Sequence, residues 1–145
     1  MFRGRSRHTL DPKGRLAVPT RFRDVLEQKG EDCLVVTNHD RCLWAFARSD
    51  WRSIEEEAAK LPRFDQSVNI YLRYFISGAV ECPLKHWRIT IPPDLREIGE
   101  LSKEVVLVGQ LSRFEIWDRQ KWEEEFQRAK ERFSEASQSL SQHGL

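Results

Sequence analysis

The chain has 145 residues, a length typical of one compact domain or of two small intertwined units, which argues against large multidomain enzyme architectures. Hydrophobic residues make up 39% of it and charged residues 32%, a balance that favours a folded globular chain over a disordered one. No run approaches the ~20 apolar residues of a membrane span, so we expect a cytoplasmic protein with no membrane partner.

The charge is distributed unevenly along the chain. Residues 1–23 hold seven basic groups and one acidic group, a net charge of +6, whereas the whole chain carries +1, which leaves −5 for the remainder. The basic residues are Arg3, Arg5, Arg7, Lys13, Arg15, Arg21 and Arg23. A basic head of this density favours contact with a polyanion, although a solvated surface without a ligand is the plainer alternative.

A tight β-turn is predicted after the basic N-terminal strand. Asp11 suits the first turn position, Pro12 presets φ at the second, and Gly14 tolerates a positive φ. The Asp11 carboxylate can accept hydrogen bonds from turn amides and orient the Arg15 guanidinium, while Lys13 projects from the tip. Such a tip suits a groove lined with phosphates, although most turns of this sequence are ordinary surface turns.

An internal repeat of about 70 residues organises the chain. The segment Arg15–Arg23 aligns without gaps to Arg88–Arg96, and farther along Trp51 aligns to Trp122. Each copy is predicted to form a β-hairpin, a short helix that begins at a proline, a second β-hairpin and a longer helix. Because isolated hairpins are marginal in water, we expect the copies to exchange strands around a pseudo-two-fold axis and to present their equivalent loops side by side.

Segment boundaries follow from this repeat. We expect a first repeat with its helix at 1–62, a connector and strand at 63–80, a second repeat with its C-terminal helix at 81–133, and a fraying tail at 134–145. Residues 68–80 are most simply interpreted as a strand, with a helix through Tyr71 and Phe75 as the alternative.

The last helix carries an apolar stripe. Its members follow one another at spacings of four and three residues, and they are Trp122, Phe126, Ala129, Phe133, Ala136 and Leu140. Such a stripe either covers the sheet of its own chain or packs against a neighbouring subunit, and the sequence leaves both possibilities open.

Catalytic and metal-binding patterns are missing from the sequence. It has no nucleophile motif, phosphate-binding loop or dinucleotide fingerprint, so we expect no enzyme, no catalytic residue and no cofactor. The 4 histidines are widely spaced and the 3 cysteines form no CxxC pair, so we expect no metal site and small buried thiols.

The order of these motifs resembles the MraZ family of bacterial transcriptional regulators. The resemblance covers nearly the whole chain and rests on Met1–Gly4, His8–Pro19, Phe22 to Arg23, Arg88–Pro93 and Phe114–Trp117. It implies an α+β fold, mainly β with helices. Two AbrB-like (SpoVT/AbrB) swapped-hairpin repeats would form an intertwined pseudo-two-fold barrel, with helices after each repeat.

The resemblance also implies a function. It predicts a homo-oligomer, expected to be a ring, that associates with the nucleoid and binds repeated boxes in double-stranded promoter DNA of the division and cell-wall gene cluster, usually as a repressor. An antitoxin-like AbrB module whose main partner is another protein is one alternative. A non-specific nucleoid-associated protein is another.

The predicted DNA-binding residues lie in the basic head and in the second-repeat loop. They are Arg3, Arg5, Lys13, Gly14, Arg15, Arg21, Arg23, Lys85 and Arg88, with Asp11 and Pro12 as the structural turn. We expect Arg3, Arg5, Arg21 and Arg23 to neutralise phosphates, which gives affinity that depends on salt and is largely blind to sequence. Lys13 and Arg15 are the candidates for reading base edges in the major groove.

The second-repeat loop departs from the family signature. The D-x-x-x-R pattern carries over at Asp11 and Arg15, but in the second half Leu84 stands four residues before Arg88 and Trp87 replaces the glycine. Because a bulky residue at the closing position resists positive φ, this loop is not expected to form the same turn. Whether it contacts DNA or mainly builds the core or the ring stays open.

Overall fold

Strands of the two repeats are interleaved in the computed structural model, which describes all 145 residues. The first repeat contains β1 (Arg5–Thr9), β2 (Arg15–Ala17), α1 (Thr20–Gln28), β3 (Cys33–Asn38), β4 (Leu43–Ala47) and α2 (Arg48–Ala58). The connector forms α3 (Gln66–Tyr71) and a π-helical turn (Leu72–Ile76). The second repeat contains β5 (Val80–Pro83), β6 (Arg88–Thr90), α4 (Pro93–Ile98), β7 (Glu104–Gln110), β8 (Arg113–Asp118) and α5 (Arg119–Ser139), and a 3₁₀ turn (Ser141–His143) follows.

The strand pairing confirms strand exchange between the repeats, but the first hairpin predicted in each repeat does not form, because β1 pairs with β7 and β5 with β3. Six strands form an antiparallel sheet in the order β1-β7-β8-β4-β3-β5, and β2 pairs with β6 in a separate sheet of 2 strands. The repeat equivalents are β1 and β5, β2 and β6, β3 and β7, and β4 and β8. Exchanging each strand for its equivalent gives the same strand orders read in reverse, as a pseudo-two-fold axis requires. The α+β class and the two repeats are as predicted, but the hydrogen-bonded strands form two sheets and do not close into a barrel.

One hydrophobic core fills the space between the two sheets. The small sheet contributes Leu16 and Ile89, and the large sheet contributes residues such as Leu34 and Leu107, all at most 1% exposed. Helix α1 adds Phe22 and Leu26, which share one helical face because they are four residues apart. Both repeats therefore depend on the same core.

The N-terminus is anchored in this core by Phe2. Its backbone N–H donates to Leu111 O at 2.7 Å and its carbonyl accepts from Leu111 N at 2.8 Å. Its ring is 1% exposed and lies 5.3 Å from the Phe22 ring and 5.2 Å from the Phe114 ring, centroid to centroid. The basic N-terminal segment is thus held against the body of the protein.

A proline marks the corner where a strand gives way to a helix in each repeat. Pro19 is the N-cap of α1, and Pro92 is the N-cap of α4 with Pro93 in the first helical turn. Proline suits these positions because its fixed φ favours the helix start and its missing N–H leaves no donor unsatisfied. These corners lie next to the two loops of interest.

The connector is helical, so the prediction of a strand over residues 68–80 is wrong and the helical alternative is confirmed. Asp65 caps α3 by accepting a hydrogen bond from Ser67 N at 2.8 Å. Val68 and Phe75 are buried on the side that faces the protein, and the strand begins only at Val80. The helical conformation is favoured because it lets Phe75 pack on Phe46 and cover the outer face of the large sheet.

The outer face of the second repeat is covered differently. Trp122 of α5 packs on Trp117 of β8, with ring centroids 5.7 Å apart. Beyond this contact α5 runs on to Ser139 without a buried residue, and Phe133 is 68% and Leu140 46% exposed. Most of the apolar stripe therefore covers nothing in its own chain, and the predicted fraying of the tail stays a prediction.

Three features bear on the remaining classes of function. None of the helices combines the length and the apolar character that crossing a bilayer would require. No three His, Cys, Asp or Glu side chains are grouped so as to hold a metal ion. Cys33, Cys42 and Cys82 are buried free thiols, as predicted, and burial raises the pKa of Cys82 to about 12.

Replacing Phe2 tests whether the N-terminal anchor is part of the shared core. Phe2→Ala removes a fully buried ring from an aromatic cluster, so we expect the free energy of unfolding to fall by about 3 to 5 kcal/mol. Urea unfolding followed by circular dichroism measures it. The matched control is Phe64→Ala, since Phe64 is 102% exposed. Equal stability changes in the two variants would contradict the assignment of Phe2 to the core.

Candidate nucleic-acid interface

The first loop forms the predicted tight turn. Gly14 N donates to Asp11 O at 2.9 Å, and Asp11 N donates to Arg15 O at 3.2 Å. Gly14 has a φ of +84°, the left-handed conformation that a type I turn followed by a glycine bulge requires. The turn residues named from the sequence therefore occupy the positions expected for them.

The Asp11 carboxylate organises this turn. Its Oδ1 accepts hydrogen bonds from Lys13 N at 2.9 Å and Arg15 N at 2.8 Å, and its Oδ2 forms an ion pair with Arg15 Nε. The hydrogen bonds from the Arg15 backbone and side chain lower the pKa of Asp11, so the carboxylate stays ionised. The Arg15 guanidinium is thereby held in one orientation, although its side chain is 48% exposed.

The second loop is also a tight turn, but of a different kind. His86 and Trp87 have φ values of +51° and +58°, and Lys85 and Arg88 exchange two backbone hydrogen bonds of 2.9 Å. This is the pattern of a two-residue hairpin turn. The expectation that the loop differs from the first is confirmed, but the stated reason, that Trp87 resists positive φ, is wrong.

Tertiary contacts explain why Trp87 accepts this conformation. Its carbonyl accepts a hydrogen bond from Val18 N at 2.9 Å, and its ring packs against the main core. The Arg23 guanidinium lies 5.8 Å from the ring centroid. Contacts from the first repeat thus offset the local strain in the second loop.

Pairing of β2 with β6 joins the two loops through one small sheet, with one loop at each end of it. Arg15 lies opposite Thr90 and Ala17 opposite Arg88, while the intervening residues face the core. Because alternate residues of a strand point to opposite faces, Arg15 and Arg88 share the outward face of the small sheet. They line one open cleft of about 660 Å³ with Lys85 and His86.

Other predicted residues lie elsewhere. Arg5 pairs with Val108 on β7 and so points to the outer, helix-covered face of the large sheet. Its guanidinium lies 4.7 Å from the centroid of the Phe126 ring. The structure therefore places Arg5 away from the cleft, on the side of the core opposite to the small sheet.

Three further arginines have their own surroundings. Arg21 packs against Gly4, which has a φ of +95°. Arg23 Nε donates to Val18 O at 2.7 Å in addition to lying over Trp87. Arg3 is exposed at the N-terminus. None of these three lines the cleft formed by Arg15 and Arg88.

Arg96 was not predicted as part of the site. It aligns with Arg23 in the repeat, and its Nη1 atom lies 3.5 Å from Pro12 O in the first loop. The repeat alignment could have identified Arg96, because it aligns Arg96 with Arg23, and each arginine follows its strand-to-helix corner by the same number of residues. His86 likewise lines the cleft without having been named as a binding residue.

Comparison with known proteins identifies the family of this chain. The sequence model of the MraZ proteins, described as antitoxin-like, matches residues 1–73 and again residues 75–143, so it accounts for both repeats. The chain belongs to the MraZ family. The resemblance noted from the loop motifs is thereby confirmed.

Relatives in the MraZ family match over the full length. Proteins named "Transcriptional regulator MraZ" from Syntrophobacter fumaroxidans and Desulfitobacterium hafniense are 39% and 40% identical to this chain. The first alignment covers 99% of this chain and 97% of the relative, and the second covers 100% of both. A third, from Desulfosudis oleivorans, is 42% identical over 86% of this chain and 85% of its own length.

Removing the Asp11 carboxylate tests its role in the first loop. Asp11→Ala deletes the acceptor of two backbone amides, so we expect amide hydrogen exchange at Lys13 and Arg15 to accelerate about tenfold. Because the carboxylate is at the surface, the unfolding midpoint should change little. Asp24→Ala, at an exposed position of α1, is the control. Unchanged exchange in Asp11→Ala would show that the backbone alone holds the turn.

Proposed function

We propose that the chain is a DNA-binding transcriptional regulator that inserts its paired loops into the major groove. The observation that carries the proposal is the common outward face of Arg15 and Arg88. Lys13 and Lys85 add charge at the two loops, so four cationic side chains from both repeats are available to one groove. The names of the relatives support the same function.

Arg15 is the best candidate for reading a base. Asp11 holds its guanidinium in a fixed orientation, and a planar guanidinium in fixed orientation can donate two hydrogen bonds to the O6 and N7 atoms of guanine. Lys13 is exposed at the same tip. The second loop, with Lys85 and Arg88, contributes charge to phosphates or bases beside the first, which favours a binding role for it in addition to its structural one.

Arginines outside the cleft supply weaker, general attraction. Arg3, Arg5 and Arg21 are exposed, and they contribute to a positive potential that steers DNA toward the protein and falls with salt. Arg23 has protein partners in its corner, so its contribution is smaller. Sequence preference therefore depends on the cleft, whereas general affinity depends on the whole basic head.

Assembly into a ring would multiply a weak single contact. The exposed stripe of α5, with Phe126, Phe133 and Leu140, is the surface that a neighbouring subunit would cover. Several clefts on one ring would bind repeated promoter boxes with avidity. Occupation of a promoter would block transcription of the division and cell-wall genes by steric exclusion. The protein would then be cytoplasmic and associated with the nucleoid.

Substitution of Arg15 tests the base-reading role. We expect Arg15→Ala to lose about tenfold or more in affinity for a duplex that the wild-type protein selects from a random library, since it removes the donors to the base. Arg15→Lys should lose part of this affinity, because lysine lacks the planar guanidinium that Asp11 orients. Gel shifts with the selected and a scrambled duplex measure the preference. Arg132→Ala, an exposed arginine on α5, is the control.

Three outcomes would contradict the proposed reading of DNA. Retention of the preference in Arg15→Ala would remove Arg15 from base recognition. Failure of the wild-type protein to retard any duplex would favour a protein partner, as in the antitoxin-like alternative, and equal binding to all duplexes would favour a general nucleoid binder.

Assembly is tested on the α5 stripe. Phe133→Glu places a charge in the uncovered apolar surface, so we expect the mass measured by light scattering to fall from that of the oligomer toward that of the single chain. The control is Phe64→Glu, because Phe64 is exposed on the connector instead. Dissociation by Phe64→Glu alone would move the assembly surface to the connector.

A further inference from the structure

Each loop is bonded to the strand-to-helix corner of the other repeat. Ile91 N, just before the second corner, donates to Gly14 O in the first loop at 2.8 Å. Val18 N, just before the first corner, donates to Trp87 O in the second loop at 2.9 Å. The two bonds are equivalent under exchange of the repeats, so the position of each loop is set by the opposite half of the chain.

Arg96 joins the second corner to the first loop. Its Nε donates to Ile91 O at 3.0 Å, and its Nη1 lies 3.5 Å from Pro12 O. A Cβ atom on Gly14 would lie 2.6 Å from Ile91 O and 2.8 Å from Arg96 Nε, so the loop backbone rests directly on this pair. One guanidinium therefore spans the carbonyl of its own corner and the carbonyl of the loop.

Arg23 is the counterpart in the first repeat. Its Nε donates to Val18 O at 2.7 Å, and its guanidinium lies over the Trp87 ring of the second loop. Each arginine thus donates a hydrogen bond from Nε to a carbonyl at its own corner, and the rest of its guanidinium contacts the loop of the other repeat. The recurrence of this arrangement at both corners shows that it belongs to the repeated unit.

We propose that Arg96 is a positioning residue for DNA recognition, which fixes where Lys13 and Arg15 lie relative to Arg88 by holding the first loop against the second repeat. The proposal rests on the proposed function and deepens it. Reading a base requires donors placed within about 0.5 Å, whereas a phosphate contact tolerates displacement. Loss of Arg96 therefore affects the preference between sequences more than general affinity.

Arg96→Ala is compared with wild type on the selected duplex and on a scrambled duplex of the same composition. We expect affinity for the selected duplex to fall about tenfold, with little change for the scrambled one. The slope of log affinity against log salt should stay the same, because no phosphate contact is lost. Arg132→Ala removes the same charge elsewhere and should change neither duplex selectively.

Arg96→Lys separates geometry from charge. Lysine keeps the positive charge but lacks the Nε–H that donates to Ile91 O and the rigid planar group that directs a second donor toward Pro12 O. We expect it to lose the preference almost as fully as Arg96→Ala. Full recovery of the preference by Arg96→Lys would overturn the proposal, since charge alone would then suffice.

Loop order provides a readout in the free protein. With Arg96→Ala, amide exchange at Lys13 and Gly14 should accelerate while the circular dichroism spectrum stays that of the folded protein. Unchanged exchange at both amides would overturn the proposal, because the loop would then be held without Arg96.

The binding outcomes separate this proposal from the proposed function. A preference that survives Arg96→Ala overturns the positioning role alone. Equal loss on both duplexes, with a salt slope reduced by about one, overturns it in favour of a direct phosphate contact by Arg96. Absence of any preference in the wild-type protein overturns the proposed function and the recognition role of Arg96 with it.

Discussion

The antiparallel pairing of β2 with β6 is the constraint on which the candidate site depends. These are the shortest strands of the fold, with 3 residues each, and they come from different repeats. Their inward side chains join the core, and their outward side chains carry the cations of both loops. Because the same two strands carry both sets of side chains, the pairing that completes the core also fixes the two loops relative to each other.

The same sheet architecture separates the basic residues into two groups. Register with β7 turns Arg5 and Arg7 to the helix-covered side of the large sheet, whereas register between β2 and β6 turns Arg15 and Arg88 to the opposite side of the core. The number of basic residues in the N-terminal segment is therefore larger than the number on either of these two surfaces. The cleft holds fewer cations than the N-terminal segment suggests, but it draws them from both halves of the chain.

The sequence predicted the features that local chemistry or the internal repeat determines, and it missed conformations that individual distant contacts hold. The turn at Asp11 and Gly14 was predictable because its hydrogen bonds lie within five residues. The positive φ of Trp87 was not predictable, because it is held by a hydrogen bond from Val18 N to the Trp87 carbonyl and by packing of the Trp87 ring on the core. The conformation of the connector was ambiguous because its apolar residues suit either a strand or a helix. The packing of Phe75 on the outer face of the large sheet favours the helix, and that contact is not visible in the sequence.

Interleaving also has a consequence for biosynthesis. β1 finds its hydrogen-bonding partner about 100 residues later, where Arg5 meets Val108, and β2 waits for β6. During translation the first half emerges with strand edges and apolar side chains that the second half covers in the native fold. The native pairing of these strands can therefore form only after β5 to β8 have left the ribosome.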